Sequence, residues 1–128
     1  MNGIPPMMNL PLYPDGYSPK PPGEIEIETI ELVVYPDRRR IFLHLVVTPF
    51  TERPNLLIAV RDGEGRIAAE LSIIETMHHD MEFTLHLRTP GDTAGDYTLT
   101  AELFYETRNP PQSRAETRFS VPGAPAQP

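Results

Sequence analysis

Three consecutive residues, His78, His79 and Asp80, are the first candidates for chemistry in this sequence. Two imidazoles and a carboxylate can ligate zinc or nickel. Adjacent residues of an extended chain point to opposite sides, so both imidazoles reach one metal only if another strand supplies a further ligand. A solvated turn is the alternative interpretation of this tripeptide.

His44 and His86 form a second candidate pair, because both take outward positions on predicted strands, the second and the fifth. If these strands pair in a register that sets the imidazoles opposite each other, the rings lie about 5 Å apart. Such a pair would bind a metal or respond to acid in the range where histidine titrates. Two unrelated surface histidines are the alternative.

Catalytic patterns are weak. The serines occur in no nucleophile elbow, and no glycine-rich loop precedes a predicted helix. Several carboxylates occupy outward strand positions, and their spacing alone does not exclude a catalytic pair of the glycosidase type. A small sandwich, however, seldom encloses a cleft. We therefore expect a protein that is not an enzyme and holds no cofactor.

Composition limits the partners. The 128 residues carry a formal charge of −7, which argues against nucleic acid as the main partner, since such proteins gather Lys and Arg. No apolar run approaches the roughly 20 residues that cross a bilayer. The first residues lack the basic and apolar segments of a signal peptide, so the expected location is the cytoplasm. There is no cysteine.

Period-two alternation of apolar residues predicts seven strands between residues 24 and 121. In the first strand the apolar parity changes near Glu28 and Thr29, which indicates a bulge. The fourth strand is expected to bury Ile67, Ala69, Leu71 and Ile73. Flanking segments rich in proline, residues 1–23 and 122–128, are expected to be a flexible arm and a disordered tail.

The segment from Pro90 to Tyr97, followed by Thr98, resembles the approach to the penultimate strand of immunoglobulin-like and fibronectin-type domains. Bacterial macroglobulin-type domains carry a similar start to this strand. The resemblance implies an all-β, seven-stranded antiparallel sandwich over residues 24–121, in which the Tyr97 hydroxyl bonds to nearby backbone. This sequence lacks the cysteine pair and the core tryptophan that are usual in immunoglobulin domains. A shared fold also transfers no function.

An apolar cluster is the strongest surface signal. Outward parity on the sheet of the third, fourth, sixth and seventh strands exposes Leu57, Ala59, Ala68, Ile74 and Phe104. A contiguous exposed cluster indicates an interface. The alternative is that the proline-rich arm folds back over it.

A symmetric last hairpin would set Glu106 opposite Arg114, Phe104 opposite Glu116 and Glu102 opposite Arg118, holding Phe104 outward. The sequence thus favours a non-enzymatic interaction or assembly module that binds a protein partner, or itself, through Leu57, Ile74 and Phe104. A small ligand-binding or metal-binding domain that uses the surface histidines is the alternative.

Overall fold

The computed structural model describes residues 18–124, in which seven strands follow a single turn of 3₁₀ helix at Pro22–Glu24. The strands are β1 (Ile27–Val34), β2 (Arg40–Val47), β3 (Asn55–Asp62), β4 (Ile67–Ile73), β5 (Asp80–His86), β6 (Gly95–Phe104) and β7 (Ser113–Val121). No helix in this part of the chain is long and apolar enough to span a membrane.

The strands form two antiparallel sheets with the orders β1-β2-β5 and β4-β3-β6-β7. Each sheet has one face in the core, so alternate side chains of every strand point inward. This is the all-β, seven-stranded antiparallel sandwich that the alternation predicts and that the immunoglobulin-like resemblance implies.

The core comes mainly from the strands that have a neighbour on both sides. β2, β3 and β6 supply fully buried side chains at alternate positions: Ile41, Leu43, Leu45, Leu56, Ile58, Val60, Leu99, Ala101 and Leu103. Full burial of one Leu or Ile side chain stabilises a fold by about 1.5–3 kcal/mol. The central strands therefore fix which face of each sheet is internal.

Two bulges interrupt the alternation. The register of β1 shifts between Ile27 and Thr29, which confirms the predicted bulge. A second shift lies in β4, where Ile67 pairs with Arg61 but Ala69 pairs with Val60. The extra residue reverses the parity there, so the prediction for Ile67 was wrong: Ile67 is 49% exposed, whereas Ala68 is 3% exposed.

The register of the last hairpin also differs from the prediction. Glu102 lies opposite Arg114, and Thr98 lies opposite Arg118, a displacement of four residues. The expected pairs of Glu106 with Arg114 and Glu102 with Arg118 are therefore wrong. Instead, the Glu102 carboxylate accepts a hydrogen bond from Arg108 at 3.0 Å.

Phe104 does not lie opposite Glu116, because Thr100 takes that position. An even displacement leaves inward residues inward, so Phe119 still stacks on Tyr97 with their ring centroids 5.2 Å apart. The predicted register was therefore wrong for the cross-strand charge pairs but right for the residues that face the core.

The Tyr97 hydroxyl donates a hydrogen bond to the Thr93 carbonyl at 2.6 Å, so the bond implied by the resemblance is present. The Thr93 hydroxyl in turn donates to the Arg38 carbonyl, in the turn that joins β1 and β2. Arg38 also donates to the Pro122 carbonyl, at 3.1 Å. This network ties three parts of the chain together at one end of the sandwich.

The expected arm is partly docked. Lys20 N donates to Pro49 O at 2.8 Å, and Thr51 N donates to Lys20 O at 3.0 Å. Backbone pairing therefore begins before the boundary expected at residue 23. The expectations for residues 1–17 and 125–128 lie outside the described residues.

Candidate functional site

The candidate histidine pair across β2 and β5 does not form. Glu82 lies opposite His44, and His86 lies opposite Arg40. Positions 40 and 44 are four residues apart on one strand, about 13 Å at 3.3 Å per residue. The two imidazoles are therefore separated, and the register that a shared site would need is not present.

His44 is instead held between two carboxylates on the neighbouring strands. Its Nδ1 lies 2.8 Å from a Glu31 oxygen on β1, and its Nε2 lies 2.8 Å from an Asp80 oxygen on β5. These hydrogen bonds, the one to Glu31 foremost, raise the pKa of His44. Because both ring nitrogens are engaged, this histidine links three strands in a row.

The His78-His79-Asp80 segment leads into β5. The His78 carbonyl accepts a hydrogen bond from the Thr76 hydroxyl at 3.2 Å. The carboxylate of Asp80 is bonded to His44. Among residues 18–124, no group of three or more His, Cys, Asp or Glu side chains is placed to hold a metal ion.

The three residues proposed for partner binding share one corner of the four-stranded sheet. Phe104 pairs with Asn55 across β6 and β3, and Leu57 lies two residues beyond Asn55. Ile74 directly follows Ile73, the residue that ends β4. Strand order and register thus bring Leu57, Ile74 and Phe104 together.

This corner is less apolar than predicted. Ile74 is 70% exposed, but Leu57 and Phe104 are partly buried. Ala59 is buried between its cross-strand neighbours Glu70 and Thr100, so the expectation that it is exposed was wrong. The same holds for Ala68, because of the β4 bulge.

An open groove of about 550 Å³ adjoins this corner, between the end of β4 and the start of β5. Ile73, Ile74, Met77, Met81 and Phe83 provide its apolar lining, with Arg53, Glu75, Thr76 and His78 as the polar residues. Met77 is 69% exposed. We call this surface the β4–β5 groove.

Sequence reasoning missed Met77, because it lies in the link between strands, where no alternation applies. The sequence does contain a signal for an exposed apolar surface next to Met77. Ile73 and Ile74 are adjacent apolar residues, and adjacent residues of a strand cannot both point into the core.

Residues 74–77 are held in place by hydrogen bonds. Glu75, at a left-handed φ of 50°, donates its N–H to Asn55 Oδ1 at 2.8 Å. The buried Thr76 donates its N–H to Pro54 O at 2.9 Å. Ile74 and Met77, on either side of this anchored pair, are therefore presented outward on a fixed backbone.

The opposite side of the sandwich, between β1 and β7, is closed by polar contacts. Ile27 N donates to the Ser113 hydroxyl at 3.0 Å. The Gln112 amide donates to the carbonyls of Ile25, at 2.8 Å, and of Pro22. On the β4–β5 side, Arg88 N bonds to Ala68 O at 2.8 Å, at the far end from the groove. The β1–β7 side is thus closed by polar side chains, whereas the β4–β5 side carries the apolar groove.

No protein-family model and no curated protein matches the chain. Solved structures match in fold. A chain of Bifidobacterium dentium β-glucuronidase, complexed with coumarin-3-O-glucuronide, gives a TM-score of 0.56 at 20% identity, over 78% of this chain and 18% of that one. A glycosyl hydrolase family 2 member from Bacteroides cellulosilyticus DSM 14838 gives 0.52 at 12% identity, over 76% and 15%.

At these identities the similarity shows a shared fold. The chain spans less than a fifth of the length of either protein. The macroglobulin-type resemblance, which is narrower than the immunoglobulin-like class, stays a prediction.

Proposed function

We propose that this chain is a non-catalytic interaction module that binds a short apolar segment of a protein in the β4–β5 groove. The observation that carries the proposal is the groove itself, about 550 Å³ in volume, flanked by the exposed side chains of Ile74 and Met77. Ligand sites are typically concave and mostly apolar, with a few polar groups that orient the ligand. Arg53, Glu75 and His78 are such groups here.

The anchored backbone of residues 74–77 supports this role. A surface that is already held in its binding conformation loses less entropy when a partner docks. Methionine also adapts its shape to different apolar partners, which suits a site for peptide segments. Leu57 and Phe104, at the adjoining corner, extend the contact surface.

The fold is compatible with a modular role. In the two glycoside hydrolase chains compared above, the matched part is 18% and 15% of the whole. A domain of this type can therefore be one part of a larger protein.

The expected affinity is modest. Full burial of Ile74 and Met77 would contribute about 1.5–3 kcal/mol each before the cost of association is subtracted. With further contacts from Phe83 and Ile73, we expect dissociation constants between about 1 mM and 1 μM. Such values are typical of transient recognition.

Selection from a random-peptide phage library tests the proposal. Peptides selected on the immobilised full chain should bind at least tenfold more weakly to a double variant, Ile74→Glu with Met77→Glu. Calorimetry should show a negative heat-capacity change, because apolar surface is buried.

Val33→Glu is the matched control, since Val33 is 60% exposed on the outer face of the other sheet. All variants should keep the thermal midpoint within a few degrees, because exposed substitutions change stability little. Selected peptides that bind all three proteins equally, or a library that yields no binder, would refute the proposal.

A further inference from the structure

The described part of the chain begins near the end of β2, where Lys20 pairs with the segment from Pro49 to Thr51. Val47 N donates to His79 O, on the β5 side of β2, whereas Thr48 N donates to Glu26 O, on the β1 side. Successive peptide groups of an extended chain face opposite sides, so those of Pro49 and Thr51 face the β5 side again. Lys20, which bonds to both, therefore lies on the side from which β5 begins.

The direction of this segment leads toward the groove. Lys20 pairs with Phe50 in a parallel bridge, so the chain that precedes Lys20 runs back along β2, toward His79. A hollow of about 240 Å³ lies there, lined by Phe50, Met77, His78, His79 and Asp80. It shares Met77 and His78 with the groove. The hollow and the groove are therefore neighbours on the surface.

The composition of the preceding segment matches the groove. Residues 1–14 contain no charged side chain, although 23% of the whole chain is charged. Their apolar residues are Met1, Ile4, Met7, Met8, Leu10, Leu12 and Tyr13, interspersed with the prolines Pro5, Pro6, Pro11 and Pro14. Prolines restrict the free chain, which lowers the entropy lost on docking, and proline-rich segments commonly bind in apolar grooves.

The reach is sufficient. Ten residues in a polyproline conformation span about 31 Å. The groove residue Phe83 lies four residues from His79 along β5, about 13 Å. Ten extended residues are therefore more than long enough to cover the distance from His79 to Phe83.

We propose that residues 4–13 occupy the β4–β5 groove of their own chain, as a tethered occupant that an external segment must displace. This inference rests on the proposed function of the groove and names its resident ligand. If the segment covers the groove, the apparent affinity for a competing segment equals the intrinsic affinity multiplied by the fraction of molecules whose groove is free.

Paramagnetic relaxation tests the inference in the full chain. The chain has no cysteine, so Met8→Cys provides a single site for a nitroxide label, with Asn9→Cys as a second site in case the Met8 side chain itself contacts the groove. The amide signals of Ile74, Met77 and Phe83 should broaden. Ser120, at the far end of β7, should not.

The broadening should disappear when Ile74→Glu and Met77→Glu are added. A mixture of an isotope-labelled chain without nitroxide and a spin-labelled chain without isotope should show no broadening. If the mixture does show it, the occupant is a second copy, and the proposal is overturned. Absent or uniform broadening with both labels also overturns it.

A second measurement separates this inference from the proposed function. Leu10→Glu with Leu12→Glu should raise the affinity of a phage-selected peptide about tenfold if the segment fills the groove in nine molecules of ten. Peptides that depend on the groove but bind equally with and without these substitutions would leave the function standing and refute the resident segment.

Discussion

The substitution Tyr97→Phe tests the network at the closed end of the sandwich. The Tyr97 side chain is 4% exposed, and its hydroxyl donates to the Thr93 carbonyl at 2.6 Å. The phenylalanine ring would keep its stacking on Phe119, so no large cavity forms. The change therefore removes one hydrogen bond and little else.

The expected loss of stability follows from that bond. A typical intramolecular hydrogen bond contributes about 0.5–1.5 kcal/mol, and a buried acceptor left without a partner costs about 1–3 kcal/mol. Because Tyr97→Phe removes the donor of such a buried bond, we expect a loss of about 1–2 kcal/mol. At about 4 °C per kcal/mol for a domain of this size, the thermal midpoint should fall by about 4–8 °C.

Denaturant unfolding of wild type and variant measures this loss. Tyr35→Phe is the control, because the Tyr35 hydroxyl makes a longer, exposed contact of 3.3 Å with the Thr84 hydroxyl. It should change stability by less than about 0.5 kcal/mol. An unchanged midpoint for Tyr97→Phe, or equal losses in both variants, would refute the reasoning.

Two further predictions concern single residues. Hydrogen bonds to Glu31 and Asp80 raise the pKa of His44 in the folded protein. The stabilising effect of the protonated His44 is therefore fully present below about pH 6.5, the pKa of histidine in an unfolded chain. This stabilisation is lost as the pH rises through the higher pKa of the folded state. The difference in unfolding free energy between wild type and His44→Gln should thus shrink from about pH 5 to pH 9, and a difference that grows would contradict this. Ala68→Asn should cost at least about 2 kcal/mol, because it buries an amide, whereas Ile67→Asn should cost less than about 0.5 kcal/mol; the reverse order in denaturant unfolding would show that the β4 bulge is misplaced.

The sequence predicted the sandwich because its central strands obey one rule over their whole length. Leu43 on β2, Ile58 on β3 and Leu99 on β6 belong to unbroken period-two runs, and burial of one face allows only one parity. The β1 bulge was also readable, since its apolar residues change parity on either side of Glu28.

The register of β7 was not readable, for a physical reason. A displacement by four residues leaves Phe119 inward, so burial energy does not distinguish the two registers. Exposed pairs such as Glu102 with Arg118 contribute at most about 1 kcal/mol, too little to decide between them. The loop between β6 and β7 decides instead, and alternation carries no information about loops.

The candidate site was predicted in part for similar reasons. Leu57, Ile74 and Phe104 lie at one corner because strand parity and strand order place them there. The groove depends on how far the edges of β4 and β5 stand apart and on the anchoring of Thr76 to Pro54. These features arise from long-range packing and cannot be read from a local pattern.

The groove also differs from the rest of the fold in what stability requires of it. On the β1–β7 side, Gln112 and Ser113 satisfy backbone groups of the docked N-terminal segment. On the β4–β5 side, Ile74 and Met77 leave about seven-tenths of their surface in water and so contribute little to the core. Polar side chains at these two positions would leave the sandwich nearly as stable, because exposed substitutions usually change stability by less than about 0.5 kcal/mol. The stability of the sandwich therefore does not require apolar side chains at positions 74 and 77, which agrees with the binding role proposed for the groove.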